Sequence, residues 1–234
     1  MSPAKPALGK TISIANAKGG VGKSTCTLFT AGALAAAGHK VQVVDLDGQG
    51  SSLIWAANRA QMGRAPAFDV TRAPAPGYDW TVYDHPPGLP QKVNTRAHVV
   101  LVPTFLALFD LAATGSFVKD LHQAGQRFLV VPNRYEKVSG HISALTELFP
   151  EGHPYLKKHS SIQTGIFNGV TPYDEKSGIR DALVIRQHFD EVMDHLVALL
   201  TDPSRQLPYT ELVKLAEQEK AKLATAQAPN APLF

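Results

Sequence analysis

The chain has 234 residues, 44% of them hydrophobic, and a net charge of +3. That length and apolar content suffice for one sizeable core, so a single domain over 1–234 is expected. The charge is too small to name a partner, and no glutamate precedes Glu136, which leaves the first half mildly basic and the second near neutral.

Cys26 is the lone cysteine. It excludes an internal disulfide framework and points to a reducing compartment. The opening MSPAKPALGK lacks an apolar run of the secretory kind. The longest apolar stretch, HVVLVPTFLALF, is broken by Pro103 and too short to span a bilayer. A soluble cytoplasmic protein is the expectation. Segments 1–9 and 225–234 are rich in Ala and Pro and read as loose tails.

The first strand is predicted at 11–15 (TISIA). A glycine-rich loop, ANAKGGVGKST, follows directly, and then an alanine-rich helix closed by Gly38. Gly19, Gly20 and Gly22 permit a tight turn with amide N–H groups aimed inward. With Val21 and the positive end of the helix they form an anion cradle. Lys23 is placed to reach β- and γ-phosphates, Ser24 to offer a hydroxyl to Mg²⁺, and Thr25 to lie against the α-phosphate. The loop departs from the ordinary G-x-x-x-x-G-K-[ST] pattern: Ala17 holds the first glycine position and Lys18 follows it. Two lysines of one subunit would crowd on one triphosphate. A lysine at the rim instead suits a facing subunit's site, as a cation supplied in trans to the transition state of phosphoryl transfer.

The next strand, 40–47 (KVQVVDLD), ends on Asp45 and Asp47, whose spacing by two predicts carboxylates on one side. Strand ends of this kind border ligand sites in open α/β sheets. A helix is predicted over 51–61, and 63–78 reads as an irregular connection. Strand 80–84 runs into Asp84-His85-Pro86-Pro87-Gly88; His85 is read as incidental. Strands at 98–103 and 127–132, a weaker one at 161–167, and helices at 108–124, 139–148, 181–200 and 208–223 complete the reading. Mostly unbroken apolar strands alternating with helices predict a doubly wound, mostly parallel sheet with helices on both faces.

KGGVGKST resembles the deviant Walker A box of the ParA/MinD family of P-loop ATPases. The resemblance implies ATP and Mg²⁺ as cofactors and a nucleotide-sandwich homodimer in which Lys18 crosses the interface. DLDGQG resembles that family's D-x-D-P-Q-G box, with Gly48 in place of proline. It implies that Asp47 helps place the attacking water and that Asp45 acts at the Mg²⁺ shell or holds the loop. DHPPG resembles the family's D-x-P-P-G stretch, with Asp84 holding Mg²⁺ through a water. The segment after it is shorter than the family's, with Arg96, Ala97 and His98 where an acid is common. Asn133, in a strand-end Asn-Arg pair, is suited to an adenine edge. Asp110 is placed to cap the following helix or lie near a dimer interface.

Slow ATP hydrolysis, used for timing, is implied. So are ATP-dependent, non-specific DNA binding and a small stimulating partner protein. The cargo is a plasmid, a chromosome or a protein organelle. Lys157, Lys158, Arg180, Arg186, Arg205, Lys214, Lys220 and Lys222 are the late-chain cations available for phosphate contacts. The alternative is a MinD-like membrane switch. For that role Tyr209, Leu212, Val213, Ala216 and Leu223 make only a modest apolar face, so a membrane is the less favoured partner. A shared metal cluster, which needs two cysteines per subunit, is not available to Cys26 alone.

Overall fold

The computed structural model describes residues 9–88 and 97–227. Six strands form one sheet: β1 (Lys10–Ile14), β2 (Val41–Asp45), β3 (Asp69–Thr71), β4 (Trp80–Asp84), β5 (Val99–Thr104) and β6 (Phe128–Pro132). They lie in the order β3-β2-β4-β1-β5-β6, and every described pairing is parallel. The helices are α1 (Lys23–Ala36), α2 (Ser51–Gln61), α3 (Leu108–Gln123), α4 (Ser139–Leu148), α5 (Ser161–Phe167), α6 (Ala182–Thr201) and α7 (Thr210–Gln227). The doubly wound α/β reading therefore holds.

Alternation within each strand builds two cores. Ile12, Ile14, Val41, Val43, Val82 and Leu101 meet α1, α2 and α6 on one face. Val100, Val102, Phe128 and Val130 meet α3 and α7 on the other. Because β1 is central and its chain exits at the carboxyl edge, the glycine-rich loop opens midway along that edge. The ends of β2, β4 and β5 stand beside it, with Asp45 and Asp84 paired in register. That is where such sheets bind ligands.

Four sequence expectations are corrected. Segment 161–167 is helix α5, not a strand: Ile162 and Ile166, one helical turn apart, pack together against the first core. The 63–78 connection contains the short edge strand β3. Its remainder is tied down by Gln42, whose side chain bonds both Ala75 N and Ala75 O. Strand β2 stops at Asp45, so Asp47 lies in the turn beyond it and the two carboxylates do not share a strand face. Helix α7 runs to Gln227, past the predicted start of the tail at 225. Tail 1–9 apart from Gly9, most of the tail after 225, and Arg96 lie outside the described residues.

Candidate functional site

The glycine-rich loop is braced from below by Asn16, a fully buried residue at the end of β1. Its amide nitrogen donates to Pro103 O at 2.8 Å and Thr114 Oγ1 at 2.9 Å, and its Oδ1 accepts Lys18 N at 3.0 Å. Loop, β5 and α3 are thereby joined through one side chain. On the far side, Gly88 N donates to Ala17 O at 3.0 Å, which ties the loop to the Pro86-Pro87-Gly88 turn.

Gly20 and Gly22 take φ of +77° and +98°, a left-handed backbone that side chains disfavour. Gly22 immediately precedes α1 and no side chain caps that helix, nor is there an acid in its first turn. Its first N–H groups and the positive end of its dipole are thus left to an anion.

The two lysines differ in environment. Lys23 is 7% exposed and its Nζ donates to Lys18 O at 2.9 Å. Burial holds its ammonium below the usual lysine range, while Asp84 and Asp47 pull it back up. Lys18 is exposed at the rim of the loop.

Asp84 is fully buried, and Ser52 Oγ donates to its Oδ2 at 2.7 Å. Burial pushes its carboxyl up to about 6, against the neighbouring hydroxyls of Ser52, Ser24 and Thr27, and nearby Asp45 adds to the rise. Asp84 Oδ1 and Thr27 Oγ1 are buried and complete no hydrogen bond among the described residues. An unpaired carboxylate oxygen among hydroxyls is a donor set that fits a hard cation such as Mg²⁺.

Asp45 differs from that picture. Its Oδ1 accepts Asp47 N, and its Oδ2 accepts Ser52 N and Leu53 N, all at 3.1 Å. Both oxygens are thus engaged by backbone N–H groups of the turn and the start of α2. Asp47 is half-exposed, and its Oδ1 accepts Gln49 N at 2.9 Å. Arg72 closes the same turn by donating to Asp45 O and Asp47 O.

Asn133 Nδ2 donates to Val21 O at 2.9 Å and its Oδ1 accepts Arg134 N at 2.9 Å. Its amide therefore braces the loop. It also lines a cavity of about 570 Å³ with Gly22, Thr25, Ser51, Trp55 and Lys157, running from the loop between α2 and α5. Asp110 lies in the first turn of α3, which begins after Ala107 without a side-chain cap. His85 accepts or donates at Ser13 Oγ, 3.0 Å away, and burial beside Lys23 pushes its imidazole down to about 4.

Asn16, Ser52, Arg72 and Thr114 were not singled out from sequence. An asparagine between a strand and a glycine-rich loop was the one readable signal, since a strand-end amide suits loop bracing.

The late-chain cations do not converge on this site. Lys157 and Lys158 line its cavity, but Lys158 also pairs with Glu136, Arg205 with Asp202, Lys214 with Glu211 and Lys222 with Glu219. Tyr209, Leu212 and Ala216 are buried in the α3–α7 packing, whereas Leu223 is exposed. Among the described residues no helix is long and apolar enough to cross a membrane.

The family model described as the CobQ/CobB/MinD/ParA nucleotide binding domain matches residues 12–163. The chain is 34% identical over 130 residues to a maintenance of carboxysome distribution protein A from Gloeobacter kilaueensis, covering 49% of this chain and 56% of that protein. It is 38% identical over 80 residues to the chromosome partitioning protein ParA of Caulobacter vibrioides, covering 34% and 30%. The matched stretches thus span about half the length of the first relative and less of the second. Among solved structures, a plasmid partition protein from Borrelia burgdorferi bound to AMPPNP superposes with a TM-score of 0.64 at 16% identity, over 81% of this chain and 98% of that one. At that identity the likeness concerns the fold.

Proposed function

Since the chain belongs to the CobQ/CobB/MinD/ParA family of nucleotide-binding domains, we propose that it is a ParA-type ATPase. It would pair on binding ATP, bind DNA non-specifically on the nucleoid, and hydrolyse ATP slowly under stimulation by a small partner protein. The work done is the partition or positioning of a cargo. The observation that carries this reading is the contrast between the loop's two lysines: Lys23 turned into its own loop, Lys18 exposed at the rim.

In this reading the amides of Gly19, Gly20, Val21 and Gly22 cradle the phosphates, with Thr25 against the α-phosphate. Lys23 Nζ exchanges Lys18 O for phosphate oxygens. Ser24 and, through a water, the unpaired oxygen of Asp84 would hold Mg²⁺, and the ion would supply charge neutralisation at the β- and γ-phosphates. Asp47 orients the attacking water, and Asp45 fixes the turn that carries it. Lys18 reaches the partner subunit's triphosphate, so hydrolysis reports pairing. Asn133 shapes the base end of the cavity.

The test is a comparison of unrelated DNA duplexes with anionic liposomes, each with ATP, ADP or no nucleotide, alongside size-exclusion chromatography. The expected result is an ATP-dependent dimer that shifts every duplex and ignores liposomes. Liposome binding without DNA binding would favour the membrane switch, and a monomer in ATP and Mg²⁺ would remove the sandwich. The use of Tyr209, Leu212 and Ala216 in internal packing argues for the DNA outcome.

A further inference from the structure

We propose that Ser52 is a positioning residue that fixes which oxygen of Asp84 is offered to the cation. The proposal rests on the reading of Asp84 as a metal-holding group. Ser52 is fully buried in the first turn of α2. Its hydroxyl donates to Asp84 Oδ2 at 2.7 Å, while Asp84 Oδ1 completes no hydrogen bond among the described residues. One oxygen is therefore committed to Ser52, while the other, with the Ser24 and Thr27 hydroxyls nearby, completes no hydrogen bond among the described residues.

The hydroxyl is itself held in place. Ser52 N and Leu53 N both donate to Asp45 Oδ2, and Asp45 stands beside Asp84 in the β2–β4 register. One carboxylate thus anchors the backbone of the turn whose side chain orients the other. The terminal torsion of an aspartate is broad when nothing holds it. Removing the hydroxyl frees that torsion and strands Oδ2 without a donor in a buried site. Both effects weaken a cation held through Oδ1, as loss of an outer partner of a metal ligand does, by about 10- to 100-fold.

The same turn links chemistry to conformation. Asp47 N donates to Asp45 Oδ1, so Asp47, assigned to the water, and Ser52, which orients the cation-holding Asp84 from the neighbouring strand, share one anchored turn. A hydroxyl that served only to pack α2 would alter nucleotide binding equally with and without metal. A positioning hydroxyl acts only when the cation is present.

The test is a Mg²⁺ titration of the whole chain with a fluorescent ADP analogue, for the natural chain, Ser52→Ala and Ser52→Cys. ADP separates binding from turnover. For Ser52→Ala we expect the half-saturating Mg²⁺ concentration to rise about 10-fold or more. Affinity for the analogue in EDTA should stay within about 2-fold, because the proposed effect runs through the metal. Ser52→Cys, close in size with a weaker donor, should fall between. An unchanged half-saturation in both variants, or an equal loss with and without metal, would overturn the proposal. A natural chain whose binding ignores Mg²⁺ would instead overturn the reading of Asp84.

Discussion

Lys18 is exposed on the rim of the loop while Lys23, five positions on, is buried against the loop's own carbonyl. A trans-acting cation adds little to ground-state binding and much to the transition state. Lys18→Ala should therefore leave ATP affinity within about 3-fold while stimulated hydrolysis falls about 10³-fold or more, the scale of a cationic finger. Single-turnover hydrolysis beside equilibrium ATP binding checks this, and unchanged turnover would remove Lys18 from the reaction. Gly22 makes a second case. A Cβ there would stand 2.4 Å from Asn133 Nδ2, at a φ of +98°. Gly22→Ala must push Asn133 off Val21 O as well as strain the backbone, so nucleotide affinity should fall at least about 10-fold, given about 1–2 kcal/mol for the strain alone. Equilibrium binding with the same fluorescent ADP analogue measures it. The glycines and lysines were legible because their work is encoded in local spacing. Asn16 and Ser52 were not, because their partners lie 87 and 98 residues away for Asn16 and 32 for Ser52. Only the register of the sheet brings those groups together.

At the scale of elements, α2 is held at both ends. Its first turn sits on Asp45 and Asp84. At its last, Arg59 donates to Ala65 O and Gly169 O and pairs with Asp174 at 2.7 Å. Arg59 is 8% exposed, so Arg59→Ala leaves Asp174 with only its Thr171 N and Oγ1 donors, strands Ala65 O and Gly169 O, and should cost about 3 kcal/mol in urea unfolding. The edge strand β6 is protected by side chains. Gln206 bonds both Phe128 N and Phe128 O, Tyr209 accepts Val130 N, and His153 Nε2 bonds Val130 O at 2.7 Å. Every outward backbone group from 128 to 130 is thus satisfied, which blocks pairing with another chain. His153 donates there as a neutral ring, and burial pushes its imidazole from 6.5 down to about 4. The unfolded chain then binds a proton that the folded chain refuses, so stability is full above pH 6.5 and lost as pH falls toward 4. Between pH 7 and 5 the loss is about 2 kcal/mol for this group. His153→Gln keeps a donor for Val130 O and removes the titration. Urea midpoints at the two pH values should differ by that much less in the variant, and His85 and Asp84 cancel in the comparison. Strands of five or six buried residues were legible as unbroken apolar runs. Strand β3 was not, because its three residues are partly exposed at the sheet edge and look like loop. Segment 161–167 misled because its Ile162 and Ile166 satisfy an alternating and a helical pattern equally.

At the scale of the whole molecule the question is how a chain of net charge +3 would hold the polyanion proposed as its partner. Several candidate cations are neutralised internally, by Glu136, Asp202, Glu211 and Glu219, and Arg186 lies over the Tyr173 ring at 5.3 Å. Of the eight late-chain cations, Lys157, Arg180 and Lys220 make no ion pair or ring contact among the described residues. One protomer therefore offers only a small footprint of late-chain cations without an ion-pair partner among the described residues. Pairing doubles it without any new contact, which makes the proposed ATP dependence of DNA binding a consequence of charge rather than of a hidden surface. With Lys157 set in the nucleotide cavity, about four phosphates neutralised by Arg180 and Lys220 of a dimer give a slope near −4 in log affinity against log salt. Lys157 lines the nucleotide cavity and is a poor probe, whereas Arg180 lines a neighbouring pocket with Ser161 and Gly178 and not that cavity. Arg180→Ala removes one cation per protomer and should reduce the slope by about 2 per dimer, equally for every duplex sequence. Anisotropy titrations from low to physiological salt, with ATP and Mg²⁺ fixed, measure that change. An unaltered slope would place the DNA-binding face away from α5 and the start of α6, and a change confined to one duplex sequence would contradict non-specific binding.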